Sequence, residues 1–176
     1  RDRPQEERHL DIVMQTAKEF NKFVEVHVDQ ENNPFQNETE LLCLKTIEHG
    51  MQGRVYGIHS ISVSAKDNSE QDRIVALCKQ ADIGIVICPS AALSMKQLPM
   101  SGPLHNSIGP FVKLREAGVR AYLGIDNIND LFMPIVDGDM WTEARMLMEA
   151  CRFYDLEQVA DWASLAPLHL ADELAS

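Results

Sequence analysis

Three strand-like runs in this chain end on residues that bind metals or move protons. "FVEVHVDQ" carries His27 and Asp29, "RVYGIHSIS" carries His59, and "RAYLGIDNIND" carries Asp126 and Asp130. Parallel α/β folds gather their reactive groups at the carboxyl ends of strands, where successive loops converge on one pocket, so the recurrence constrains fold and site together. In the first run Val24, Val26 and Val28 alternate with Phe23, Glu25, His27 and Asp29. One face suits packing against helices and the other turns polar toward its end. The third run behaves alike, with Val119, Ala121 and Leu123 opposite Tyr122, Gly124 and Asp126. A buried imidazole and carboxylate need partners, and a shared cation supplies one.

Helices and strands alternate regularly around these runs. A helix is expected after Pro4, with Leu10, Val13, Met14 and Ala17 at helical spacing, followed by a strand from Lys22 to Asp29. The segment "NETE" opens a second helix with Asn37 as cap and Glu40 three residues on; it closes at Gly50, before a strand from Arg54 to Ile61. A third helix is expected near Ser69, with Asp72 in the capping-box position, then the strand "IGIVICP", apolar on both faces as a central parallel strand should be. The stretch from Pro89 to Ile108, rich in Ser, Pro, Met and Gly, reads as a long functional loop. A short helix ending at Gly118 precedes the fourth strand, and two or three helices follow from Trp141, with Ala144, Met148 and Cys151 in one stripe. Four βα units imply a parallel sheet with right-handed crossovers. An eight-stranded barrel needs about 250 residues, so the units make either half a barrel or a complete small open sheet.

With 176 residues and 45% hydrophobic content, the chain has enough apolar surface for one core, and a single domain over 1–176 is expected. A formal charge of −11 argues against nucleic acid or an anionic membrane as the partner. The cysteines Cys43, Cys78, Cys88 and Cys151 lack CxxC spacing and read as reduced thiols, three of them within apolar patterns. No apolar run reaches the roughly 20 residues that span a bilayer, and the charged start "RDRPQEERH" is not a signal peptide, so a cytoplasmic location is expected.

The motifs choose between the two architectures. "VHVDQENNPFQNETELLCLKTIEHGMQGRVYGIHSIS" followed by "GVRAYLGIDNINDLFMPIVDGDMWTEARMLMEACRFYD" resembles the cytosine deaminase branch of the amidohydrolase superfamily, over roughly residues 5 to 155. The resemblance implies an α/β fold in which these parallel βα units form the second half of a TIM-type (β/α)8 barrel, the N-terminal half being absent, with C-terminal helices from about residue 139. It also implies one divalent ion, zinc or iron, at the barrel mouth, activating water for attack on a C–N bond in a ring. Family members take two ligands from an HxH pair on the first strand, a histidine from the fifth and an aspartate from the eighth. Carried over by position, His27 and Asp126 are the metal ligands. His59, at the sixth strand, holds the attacking hydroxide or the substrate, and Asn127 binds a ring or exocyclic group of the substrate. The chemistry is sensible in itself: a bound divalent ion brings the pKa of water to about 7, and Asp126 is placed to take the proton. His105, in the long loop, is a candidate substrate-pocket residue.

Two departures qualify the carry-over. The chain has no HxH, and His9, His49, His105 and His169 are not placed to replace it, so two ligands are missing and the fragment alone is expected to be inactive. Gln30 stands where cytosine deaminases place a proton-shuttling glutamate, and an amide cannot do that work at neutral pH. A small cyclic amide, amidine or nucleobase-like substrate is therefore expected rather than cytosine itself, with a homo-oligomer left open. Two non-catalytic alternatives stand beside this reading: a flavodoxin-like binding or signalling domain, and a barrel remnant acting through subunit contacts. Asp130 and Asp137 read as turn and cap residues, and the methionines of "MLMEA" as core fillers.

Overall fold

A computed structural model describes residues 3–94 and 106–164. Four strands, β1 (Val24–Val28), β2 (Val55–His59), β3 (Gly84–Ile87) and β4 (Arg120–Leu123), form one parallel sheet in the order β1-β2-β3-β4. Around them run α1 (Arg3–Glu19), α2 (Glu38–Glu48), α3 (Ile61–Ser64), α4 (Asn68–Ala81), α5 (Pro89–Ser94), α6 (Phe111–Glu116), α7 (Met140–Cys151) and α8 (Leu156–Trp162). Strictly sequential order needs every crossover to run in the same direction. A flavodoxin-like sheet instead reverses direction at its switch point, so the strand order does not favour that alternative. Among the described residues, no helix is long and apolar enough to cross a membrane.

One face of the sheet carries the main core. Val24, Val28, Val55, Ile85 and Ala121 join Leu10, Met14, Leu42, Ile74, Phe111 and Leu147 of the helices in one apolar cluster. The other face has a smaller cluster of Ile58, Cys88, Ala91 and Met133. Nearer the start of the strands, the Tyr56 and Tyr122 rings stand 6.0 Å apart across Gly84. A Cβ on Gly84 would lie 2.4 Å from the Tyr56 ring, so the inner face closes there only over a glycine.

The termini of several elements differ from the sequence expectation, each for a local reason. β2 ends at His59, and Ile61 starts α3 instead of extending the strand, because His59 and Ser60 take φ of 82° and 54° and break the pleat. Asn37 does occupy the position before α2, yet its side chain makes no capping bond. The cap comes from Asp29: its carboxylate accepts the Glu38 amide at 2.9 Å and the Thr39 amide at 3.0 Å, while its own amide donates to Glu38 Oε2 at 2.7 Å. Glu40 pairs with Arg73 instead. The cap of α4 is Asp67, accepting the Glu70 amide at 2.9 Å, and Asp72 pairs with Lys113. The first residues of the expected long loop form α5, while 95–105, including His105, lie outside the described residues.

Lys66 ties down the loop between β1 and α2. Its ammonium donates to the carbonyls of Pro34 at 2.5 Å and Gln36 at 2.6 Å, and to Asn37 Oδ1 at 3.0 Å. Burial pushes this lysine below its ordinary pKa, and neighbouring carboxylates work against that. The Ser62 hydroxyl adds a bond to the Glu31 carbonyl at 2.6 Å, so the loop beyond His27 is held by α3 and the turn after it.

Asp29 is closed to solvent, and Asp29→Ala leaves the first amides of α2 without their acceptor. A loss of about 2–4 kcal/mol is expected from a buried charged cap of this kind. Equilibrium urea unfolding checks it, and a change within about 0.5 kcal/mol, the range of an ordinary surface substitution, would show that the cap does not hold α2.

Candidate functional site

His27, Ile58 and Val86 share one sheet face by register, and that is the face away from the main core. Register would send His59 the other way, since it pairs with Val28, which is buried in the main core. The positive φ of His59 turns it back. Gly109 makes room for the turn: a Cβ there would come within 2.6 Å of the His59 carbonyl oxygen. Asp126 also has positive φ, 76°, three residues beyond the end of β4. Non-glycine residues pay a steric cost for this conformation, and its recurrence after three strands is the kind of strain that marks functional sites.

The result is a compact donor set. His27 Nδ1 and His59 Nε2 are 3.0 Å apart, and His59 Nε2 is 3.7 Å from Asp126 Oδ2. One ligating atom from each of the three residues lies within 4.8 Å of the other two. His59 is fully buried, Asp126 is 12% exposed, and His27 opens to solvent at the β1 edge. Burial pushes His59 down to about 4, with Asp126 opposing and His27 reinforcing the shift, so its imidazole is neutral near pH 7. Its Nδ1 is buried without a partner.

This set fits a divalent metal. Nitrogen ligands at about 2.0–2.1 Å in a tetrahedron stand about 3.3 Å from one another. The donor atoms of His27 and Asp126, the two ligand candidates, lie within 4.8 Å of each other, with His59 Nε2 3.0 Å from the first and 3.7 Å from the second. Imidazoles with one carboxylate suit zinc or iron. A second grouping, Asp11, Glu48 and His49, is of another kind. The Lys45 ammonium already bridges Asp11 at 2.8 Å and Glu48 at 3.0 Å, so its charge is met within the protein.

Gln30 lines a cavity of about 650 Å³ with His27, Glu31, Asn33 and Phe35. Asn127 is drawn to Asp130 by a bond from its amide nitrogen. Asp130 acts as the expected turn residue, accepting the amides of Phe132 at 2.9 Å and Met133 at 2.8 Å, and Asp137 accepts the Asp139 amide at 3.0 Å. Cys43, Cys78 and Cys88 are free, buried thiols. The sequence reading missed Glu143, a carboxylate 1% exposed on α7. The signal was present, since Glu143 lies one turn before Leu147 on the stripe that α7 buries.

No family model matches the chain. An uncharacterized protein of Haemophilus influenzae is 40% identical over 101 residues, which are 57% of this chain and 37% of that protein. The N-isopropylammelide isopropyl amidohydrolase of Pseudomonas sp. strain ADP is 28% identical over 134 residues, 76% of this chain and 30% of its own length. Among solved structures, 5-methylcytosine deaminase from Klebsiella pneumoniae liganded with 5-fluorocytosine matches with a TM-score of 0.85 at 21% identity, covering 95% of this chain and 42% of that one. The chain thus spans well under half the length of these relatives. In its fold, and in its sequence likeness to an amidohydrolase, the chain resembles the cytosine deaminase branch of the amidohydrolase superfamily.

Proposed function

We propose that the chain is the second half of a (β/α)8 barrel in a metal-dependent hydrolase that cleaves a C–N bond, other than a peptide bond, in a cyclic amide, amidine or nucleobase-like ring. The observation that carries this reading is the meeting of His27, near the end of β1, His59, the last residue of β2, and Asp126, three residues beyond β4. The sequential parallel sheet supports it, as does the likeness to relatives named for 5-methylcytosine and N-isopropylammelide.

In this reading His27 and Asp126 hold one zinc or iron ion, and the other half of the barrel adds further ligands. A divalent ion there supplies Lewis acidity and brings the pKa of water to about 7. Asp126, partly open to the mouth, accepts the proton of the attacking water. His59, kept neutral by burial, orients that water and stabilises charge developing on the substrate. Asn127, anchored to Asp130, belongs to the substrate side of the site, and His105, outside the described residues, is kept as a candidate substrate-binding residue on its sequence alone. Gln30 faces the same cavity as His27 and has no proton to shuttle, so the substrate is one whose leaving group is already basic, or a cyclic amide or imide.

Asp126→Asn in the full-length protein is expected to abolish hydrolysis, because it removes a ligand and the proton acceptor together. Hydrolysis that survives the substitution would contradict the assignment. The 176-residue chain, with two ligands where catalytic zinc normally has three plus water, is expected to bind zinc weakly and turn over nothing. Stoichiometric metal retained by that chain through dialysis against a chelator would count against it.

General acid catalysis contributes about 10²–10⁴-fold, so Gln30→Glu is expected to raise any residual cytosine deamination by the full-length protein. Ammonia release from cytosine measures this, and brisk turnover by the unsubstituted protein would show that Gln30 does not exclude cytosine.

A further inference from the structure

The main core holds a close pair of thiols that the site does not use. Cys43 on α2 and Cys78 on α4 are both closed to solvent, and the Cys43 thiol donates to the Cys78 sulfur at 3.6 Å. Cys88 lies in the smaller cluster on the other face of the sheet, and Cys151 is half-buried on α7. The two helices are held in step at the surface. Arg73 of α4 donates twice to the Glu40 carboxylate of α2, at 2.7 and 2.9 Å, the paired geometry in which a guanidinium fixes orientation as well as distance. Glu40 stands one turn before Cys43, so this clamp sets where the thiols meet.

A disulfide needs its sulfurs about 2.05 Å apart, so the pair at 3.6 Å is in contact and unbonded, short of a bond by about 1.5 Å. Rotation of the two side chains and a small approach of the helices close that gap. A peroxide oxidises one thiol to a sulfenic acid and leaves as water; the second thiol then attacks that sulfur, forms the S–S bond and releases another water. Two thiols and one peroxide thus give one disulfide and two waters. The bond to its neighbour and burial push the Cys43 thiol above its ordinary pKa, so the closed pair is inert and reacts when α2 and α4 part.

We propose that Cys43 and Cys78 form an oxidation site, a dithiol that a peroxide converts to a disulfide joining α2 to α4. The bond closes residues 43–78 into a loop that contains all of β2, with His59, and Lys66. It restrains in the unfolded chain the segment that presents His59 and grips the loop after His27, and so makes that segment harder to open. Both thiols lie in the main core, behind the sheet face that carries His27, and the bond needs neither metal nor substrate.

The test is a peptide map of the dilute full chain after exposure to hydrogen peroxide with chelator present, remaining thiols being trapped by alkylation in denaturant and the digest read without reductant. The map is expected to show Cys43 joined to Cys78, with no disulfide through Cys88 or Cys151. Dithiothreitol is expected to restore both thiols, and the oxidised chain to melt about 5 °C or more above the reduced one. Urea below the unfolding transition is expected to speed the reaction, because the thiols react from the opened pair. Cys78→Ala is expected to lose both the cross-link and the thermal gain on oxidation. The map itself needs no substitution, so a variant that fails to fold leaves the outcome readable. Persistence of the Cys43 and Cys78 thiols, a disulfide through Cys88 or Cys151 instead, or a cross-linked chain that melts no higher than the reduced one would overturn the proposal.

Discussion

The Asp29 carboxylate is where strand, helix and site are fastened together. It is closed to solvent and takes the first two amides of α2, while Glu38 takes its amide in return. Its carbonyl accepts the Ser62 amide at 3.1 Å, which ties the end of β1 to α3. A buried charge is tolerable here because oriented N–H groups at a helix N-terminus surround it. His27, two residues earlier, therefore projects from a strand whose exit is fixed on two sides.

From this anchor the site is assembled by backbone turns more than by side-chain packing. Asp29, His59, Ser60 and Asp126 all adopt positive φ at strand ends or in the residues that follow them. The turns at His59 and Asp126 bring those two side chains together with His27, while the one at Asp29 sets its carboxylate on the start of α2. Gly109, packed on the His59 carbonyl, and Lys66, gripping the loop after His27, keep these turns from relaxing. Burial then keeps His59 neutral, which a ligand or a proton acceptor requires. Geometry and protonation state thus arise from the same packing.

Much of this was legible in the sequence, for reasons that differ by residue. Period-two alternation put His27 opposite the core valines, and the recurrence of acid and imidazole at strand ends pointed to one mouth. Alternation alone would have turned His59 toward the helices, because positive φ at a non-glycine residue leaves no mark in a hydrophobic pattern. The caps of α2 and α4 were misplaced for a related reason. Asn37 and Ser69 are good local candidates, but the amides of α2 are met by Asp29, eight residues before Asn37 in the chain, and Asp67 stands two residues ahead of Ser69. Glu143 escaped notice because it hides within an apolar stripe.

The most direct measurement of the central claim is a nitrogen-15 histidine NMR titration of the chain with excess zinc. The account predicts that the ring nitrogens of His27 and His59 shift together, in order with the metal added, while those of His49, held by Asp11 at 2.8 Å, stay in place. Movement of His49 with His27 and His59 unchanged, or no response from any of the three, would contradict a metal site at the ends of these strands.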